Sequence, residues 1–175
     1  MSKIIAFSGS NHSKSINQLL VKHAASKIVN HEVEVLDLRD YESPMFSLDL
    51  EAAEGQPEIL KELEAKISEN SILLIAVPEY NGFMPSFFKN TIDWLSRINR
   101  AFLKGKKIVL LSTSPGVYGG KQSLNHTATL LPRFGGEVIA TFSLSSFYEA
   151  VNLDNGFTFT DVEEERELKE VLNNI

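Results

Sequence analysis

Five short apolar runs, each rich in β-branched residues and each followed by a stretch with helical spacing, set an alternating strand–helix order for this chain. The runs fall at 3–8, 33–38, 72–77, 107–112 and 137–142. The first, third and fourth are apolar throughout, as expected for central strands covered by helices on both faces. The second alternates around Val33 and Val35, and is expected at an edge with one wetter face. Between the runs, Ile16, Leu19, Leu20, His23, Ala24 and Ile28 fall at helical spacing. So do Ile59, Leu60, Leu63 and Ile67, then Phe88, Ile92 and Leu95, then Leu124, Ala128 and Leu131. Leu168, Val171, Leu172 and Ile175 mark a last helix. Pro57 and Pro85 suit a first helical turn, and Gly135-Gly136 ends the fourth helix.

This alternation predicts an α/β fold: a five-stranded parallel sheet with right-handed crossovers, sandwiched between two helical layers. The expected strand order is 2-1-3-4-5. A length of 175 residues suits one domain spanning 1–175. No internal repeat, low-complexity tract or linker divides it. Segments 39–56 and 143–160 read as irregular, the second containing the turn signal Asp154-Asn155-Gly156.

Composition removes several function classes. There is no cysteine, which excludes disulfides, thiolate metal sites and cysteine nucleophiles. A net charge of -6 repels nucleic-acid phosphates, and the densest basic cluster, Lys104, Lys106 and Lys107, reads as a solvated turn. His31 and His126 have no metal-ligand spacing around them. The first apolar run is too short for an export signal or a membrane span, so a cytoplasmic protein is expected.

In open α/β sheets ligands sit beyond the C-terminal strand ends, where strand order reverses. Three loops lie there. The first, 9–17, carries Gly9, Ser10, His12, Ser13, Lys14, Ser15, Ile16 and Asn17 at the entry to a helix. A helix N-terminus presents free N–H groups and attracts anions. Serine hydroxyls, the Asn17 amide and the charges of His12 or Lys14 add donors. Ser15 with Gln18 three residues later also forms a capping box, which needs no ligand. The second loop, Pro78-Glu79-Tyr80-Asn81-Gly82, offers an aromatic ring and unobstructed backbone to a flat heterocycle, or is an ordinary connection. The third, 112–120, holds Ser114, Gly116, Gly119 and Gly120, which allow close approach to a ligand or simply a turn.

At these residues the chain resembles the NADPH-dependent FMN reductase family, which includes azoreductases, quinone reductases and chromate reductases. The family reads G-S-x-R-x-x-S-x-N after its first strand, and Gly9, Ser10, Ser15 and Asn17 match. After the third strand it reads P-E-Y-N-x-x-x-P-G-x-x-K-N-x-I-D-W. Here Pro78-Glu79-Tyr80-Asn81, Pro85, Lys89-Asn90 and Ile92-Asp93-Trp94 match. His12 stands where the family has arginine, and Ser86 replaces the glycine after Pro85. Ser114-Pro115-Gly116, Gly119-Gly120 and the tail from Phe147 to the last helix extend the likeness over nearly the whole chain.

The resemblance implies a flavodoxin-like fold holding FMN, with its phosphate at Ser10, Ser15 and Asn17; Ile16 is a further cofactor-binding candidate, and His12 either contacts the phosphate or points to solvent. It implies a flavin ring against Pro78, Glu79, Tyr80, Asn81 and Gly82, with Ser114, Gly116, Gly119 and Gly120 on the other side. NADPH or NADH would donate hydride to a small acceptor such as a quinone or azo compound, with no catalytic side chain or metal, by ping-pong kinetics. A homodimer or dimer of dimers is also implied. An electron carrier that never binds a nicotinamide, or a flavin-free binding protein on the same fold, are the other classes considered. Histidine titrates near neutrality whereas arginine stays charged, so a phosphate contact at His12 is expected to strengthen at low pH. His23, on an apolar stripe, reads as packed. Asp93-Trp94 reads as capping and packing its helix. The run Glu163-Glu164-Glu165 suits the first turn of the last helix. Phe83, Met84, Phe87 and Phe88 are expected at a subunit contact or substrate cleft, with core packing as the other choice.

Overall fold

The computed structural model describes residues 3–154 and 156–175; Met1, Ser2 and Asn155, the centre of the expected 154–156 turn, lie outside them. The sheet contains β1 (Lys3–Ser8), β2 (Glu32–Val35), β3 (Ile72–Ala76), β4 (Lys107–Thr113) and β5 (Glu137–Leu144). All four pairings are parallel and the order is β2-β1-β3-β4-β5, as the runs predicted. Strand order reverses between β1 and β3, so a crevice opens beyond their C-terminal ends.

The helices are α1 (Ile16–Ser26), α2 (Leu48–Glu54), α3 (Glu58–Glu69), α4 (Ser86–Ile98), α5 (Lys121–Leu130), α6 (Phe147–Ala150) and α7 (Val162–Leu172). Successive strand side chains point to opposite faces, which splits the core in two. Ile5, Phe7, Leu73, Ile75, Ile108 and Leu110 pack with Leu63, Phe88, Trp94 and Leu124 on the face of α3, α4 and α5. Ile4, Ala6, Leu74, Val109 and Leu111 pack with Leu20, Ala24, Phe147 and Leu168 on the face of α1, α6 and α7. Each such aliphatic burial contributes about 1.5–3 kcal/mol.

Several expectations are corrected. Segment 39–56 is not irregular throughout: a 3₁₀ turn spans Leu38–Tyr41 and α2 follows. Segment 143–160 contains the end of β5, the single turn α6 and a two-stranded ribbon, β6 (Val151–Asn152) with β7 (Thr158–Phe159). The edge strand β2 is wetter than its alternation implied, with Val33 only half-buried and Val35 exposed. Pro57 and Pro85 immediately precede their helices rather than lying within them. Asp93 caps nothing; it sits mid-helix and pairs with Lys89 at 2.6 Å. Trp94 is buried as expected, its Nε1 donating to the Pro44 carbonyl at 2.8 Å. Of the four residues expected at a contact or cleft, Met84 and Phe88 are core and Phe87 is half-buried against it. Phe83 stays exposed.

His23 is packed, stacking on Phe157 with ring centroids 4.2 Å apart and meeting Phe159 edge-on at 5.4 Å. Its Nε2 is buried without a partner among the described residues. Burial, assisted by the nearby Lys27, pushes its pKa down to about 4. The acidic run does open α7, with Asp161 as its cap accepting from the Glu163 N–H at 2.9 Å.

Candidate functional site

Three loops separated by up to a hundred residues meet beyond the sheet. They enclose a cleft of about 190 Å³ lined by Ser10, His12, Lys14, Ser15, Ile16 and Asn17 from the first, with Pro78, Glu79 and Tyr80 from the second. Thr113, Ser114 and Pro115 from the third loop and Tyr148 from α6 complete it. Nine of the sequence-predicted residues therefore share one wall-to-wall space: Ser10, His12, Ser15, Ile16, Asn17, Pro78, Glu79, Tyr80 and Ser114. Asn81, Gly82, Gly116, Gly119 and Gly120 do not line it.

The first loop forms an anion seat. Ser15 is the N-cap of α1, its Oγ accepting from the Gln18 N–H at 3.2 Å. Ser10 Oγ accepts from the His12 N–H at 3.1 Å. Each hydroxyl therefore accepts within the loop and donates to no described residue, leaving its hydrogen for an incoming acceptor. The first-turn N–H groups of α1 cannot be satisfied by its own backbone. No acidic residue occupies that turn. The expected capping box is only half formed. Instead of returning to Ser15, Gln18 accepts from the Ser8 N–H at 3.1 Å and donates to the Leu36 carbonyl at 3.0 Å. It thereby holds the ends of β1 and β2 together.

Asn17 differs from expectation. Its amide is 3% exposed and makes a two-way clasp with the backbone of Thr113. Nδ2 donates to the Thr113 carbonyl at 2.9 Å, and Oδ1 accepts from the Thr113 N–H at 3.0 Å. Thr113 Oγ1 in turn donates to the Leu144 carbonyl at 2.8 Å. Glu79 is engaged similarly. Its carboxylate accepts from the Ser123 N–H at 3.0 Å, capping α5, while Ser123 Oγ donates to the Pro78 carbonyl at 2.9 Å. Among the described residues Glu79 is the one carboxylate lining the cleft, and it shares that lining with the basic side chains of His12 and Lys14.

The second loop is a tight reversal. Tyr80 and Phe83 exchange backbone hydrogen bonds at 2.8 and 3.2 Å across Asn81 (φ 54°) and Gly82 (φ 79°). Positive φ at both central residues is the type I′ geometry that Asn-Gly favours. It leaves Tyr80 half exposed at the rim.

In the third loop, Gly119 and Gly120 serve the frame. A Cβ on Gly120 would lie 2.2 Å from Ser112 Oγ, and one on Gly119 would lie 2.5 Å from Ser143 Oγ. Gly116 is different: a Cβ there meets nothing nearer than Ser114 Oγ at 3.9 Å, so space is open beside it. The Gly116 carbonyl accepts from the Ser146 N–H at 3.0 Å, and the Ser114 carbonyl from the Phe147 N–H at 3.1 Å. Ser146 adopts φ 46°, which turns the chain so that Tyr148 faces the cleft.

Sequence reasoning missed Thr113, Pro115 and Tyr148 as lining residues, and had Lys14 only as an added charge. Tyr148 carried no signal, because it lies on a single helical turn inside a stretch without periodicity. A larger groove, about 530 Å³, runs along β5 between α5 and α7, lined by Lys121, Phe142, Glu167 and Glu170 among others. It lies at the sheet edge, away from the order reversal and the α1 N-terminus, and gathers none of the three loops' donors. Among the described residues no helix is long and apolar enough to cross a membrane, and no three metal-ligating side chains cluster.

Residues 2–149 match the NADPH-dependent FMN reductase family. A quinone reductase of Escherichia coli strain K12 is 31% identical over 130 residues, covering 74% of this chain and 69% of its own length. An NAD(P)H-dependent FMN reductase of Pseudomonas aeruginosa is 30% identical over 125 residues, covering 71% of this chain and 66% of its own. Among solved structures, a flavoenzyme NAD(P)H:(acceptor) oxidoreductase of Paracoccus denitrificans superposes with a TM-score of 0.76 at 26% identity, covering 99% of this chain and 95% of that one.

Proposed function

This chain belongs to the NADPH-dependent FMN reductase family, and we propose that its three-loop cleft seats the FMN and serves hydride transfer from a nicotinamide to a small acceptor such as a quinone or azo compound. It is an NAD(P)H-dependent oxidoreductase with FMN as cofactor. The observation that carries the assignment of the site is the donor set at the α1 N-terminus. Two serine hydroxyls with unspent hydrogens, free first-turn N–H groups and the side chains of His12 and Lys14 surround one end of the cleft. That set suits an oxyanion such as a phosphate.

Ser10, Ser15 and the backbone of Ile16 and Asn17 would hold the phosphate, with His12 beside them. The loop around Pro78, Glu79, Tyr80, Asn81 and Gly82 would flank the ring from one side, and Ser114, Gly116, Gly119 and Gly120 from the other. Bound there, FMN would supply the two-electron chemistry that links a nicotinamide to the acceptor. The protein's part is orientation. The clasped loops fix the spacing of the cleft, and their backbone N–H groups offer donors to negative charge on a reduced ring. No side-chain nucleophile is needed.

The same reading includes a homodimer working in the cytoplasm, where reduced nicotinamides are held. The exposed rim residues Tyr80, Phe83 and Tyr118 support it, since they supply apolar surface for a second copy to cover. Sedimentation of the pure protein at two masses' resolution tests the dimer. For the site, apo-protein should bind added FMN and acquire a flavin absorption band that NAD(P)H bleaches without oxygen. Protein that binds no FMN, or whose bound flavin NAD(P)H leaves oxidised, overturns the assignment.

A further inference from the structure

We propose that Asn17 is a positioning residue whose side chain sets the distance between the phosphate seat and the ring-side loop, and that its side-chain amide is not itself a ligand of the phosphate. This rests on the FMN assignment of the cleft and refines it. Asn17 and Thr113 are 96 positions apart and both almost wholly buried, 3% and 1% exposed. Their two bonds, at 2.9 and 3.0 Å, use the amide oxygen and one amide hydrogen of Asn17 on the N–H and carbonyl of a single residue. An amide so held has its plane fixed by the partner backbone, so turning it toward a ligand would break two buried bonds at once.

The clasp sits at a junction. Asn17 belongs to the first turn of α1, whose N–H groups face the cleft, and Thr113 is the last residue of β4. Thr113 Oγ1 passes the connection on to the Leu144 carbonyl at the end of β5. The residue after Leu144 leads into the turn whose Ser146 and Phe147 N–H groups grip Gly116 and Ser114. One buried polar chain thus runs from the phosphate end to the third loop and α6. Its loss would loosen the whole cleft rather than remove one phosphate contact.

The two roles separate when FMN is compared with riboflavin, which carries the ring and ribityl chain but no phosphate. Dissociation constants for both are measured on apo-protein by flavin fluorescence quenching, for wild type, Asn17→Ala and a His12→Ala control. A positioning role predicts that Asn17→Ala weakens both flavins by a similar factor, about tenfold, leaving their affinity ratio unchanged. His12→Ala, by contrast, should weaken FMN and spare riboflavin. Hydrogen exchange at the Thr113 amide should quicken in Asn17→Ala. Loss confined to FMN makes Asn17 a phosphate ligand and overturns the proposal, as does unchanged affinity for both. Should alanine fail to fold, Asn17→Asp retains the acceptor for the Thr113 N–H. Riboflavin then reports on the clasp without phosphate repulsion, and its affinity should still fall. Wild-type protein that binds neither flavin would instead sink the FMN assignment, a distinct result.

Discussion

Replacing Gly120 with alanine probes the frame of the third loop without touching the cleft lining. Gly120 lies at φ 74°, and an added Cβ would stand 2.2 Å from Ser112 Oγ. Left-handed backbone costs a residue with a side chain about 1–2 kcal/mol. The clash is relieved only if the Ser112 hydroxyl swings away. That hydroxyl is fully buried and donates to the Val77 carbonyl at 2.7 Å, so moving it leaves buried groups unpaired at about 1–3 kcal/mol. Gly120→Ala should therefore lower stability by about 3 kcal/mol, measured by urea unfolding of the apo-protein, with a melting temperature about 6–12 °C lower. Ser112→Ala removes the obstructing oxygen, and only Ser112 Cβ, 3.4 Å away, and Glu79 Cβ, at 3.6 Å, then remain near the new methyl. The double variant should therefore lose at least 1 kcal/mol less than the two single losses added together. A Gly120→Ala loss under 0.5 kcal/mol, or strictly additive effects, would refute the claim that close approach to Ser112 makes glycine necessary here.

Glu79→Gln keeps an acceptor for the Ser123 N–H but removes the charge at the α5 N-terminus, and should cost about 0.5–1 kcal/mol; Glu79→Ala should cost about 1–2 kcal/mol, both read from urea midpoints. His23 is held neutral by burial, with its pKa near 4 in the folded chain against about 6.5 unfolded. The unfolded chain thus binds the extra proton between these values. Stability should fall by up to about 3 kcal/mol as pH drops from 6.5 to 4, and His23→Phe should flatten that slope. His12→Arg should tighten FMN severalfold while leaving riboflavin affinity unchanged, because a guanidinium can grip a phosphate with two parallel charged N–H bonds. Equal affinity of His12→Arg and wild type for FMN would place His12 away from the phosphate.

The sheet was legible because its physics is local. Continuous apolar runs mark strands covered on both sides, and the alternating run marks the edge. What escaped was structure without periodicity. The short helix α2 buries no side chain, so it leaves no stripe. The strands of the ribbon are two residues each, too short to alternate visibly. At the site, the residue types were readable but their partners were not. A buried amide looks the same in sequence whether it meets a ligand or the backbone of a residue 96 positions away, so the bonds of Asn17 to Thr113 and of Glu79 to Ser123 are not legible there. Gly119 and Gly120 suggested approach to a ligand, whereas their neighbours are Ser143 and Ser112, one on each adjoining strand. Pairings of that kind depend on which strands lie side by side, and emerge only once the topology is known.

The third loop is gripped through its peptide groups: the carbonyls of Ser114 and Gly116 meet N–H groups from the α6 turn, and the Gly119 N–H returns to Gly116. Main-chain grips do not depend on which side chain a residue carries. Val117, outermost on that loop and largely solvent-facing, can therefore be exchanged widely while the path of the chain stays put. A scaffold built this way lets the outermost surface of the loop vary, with no toll on the sheet beneath.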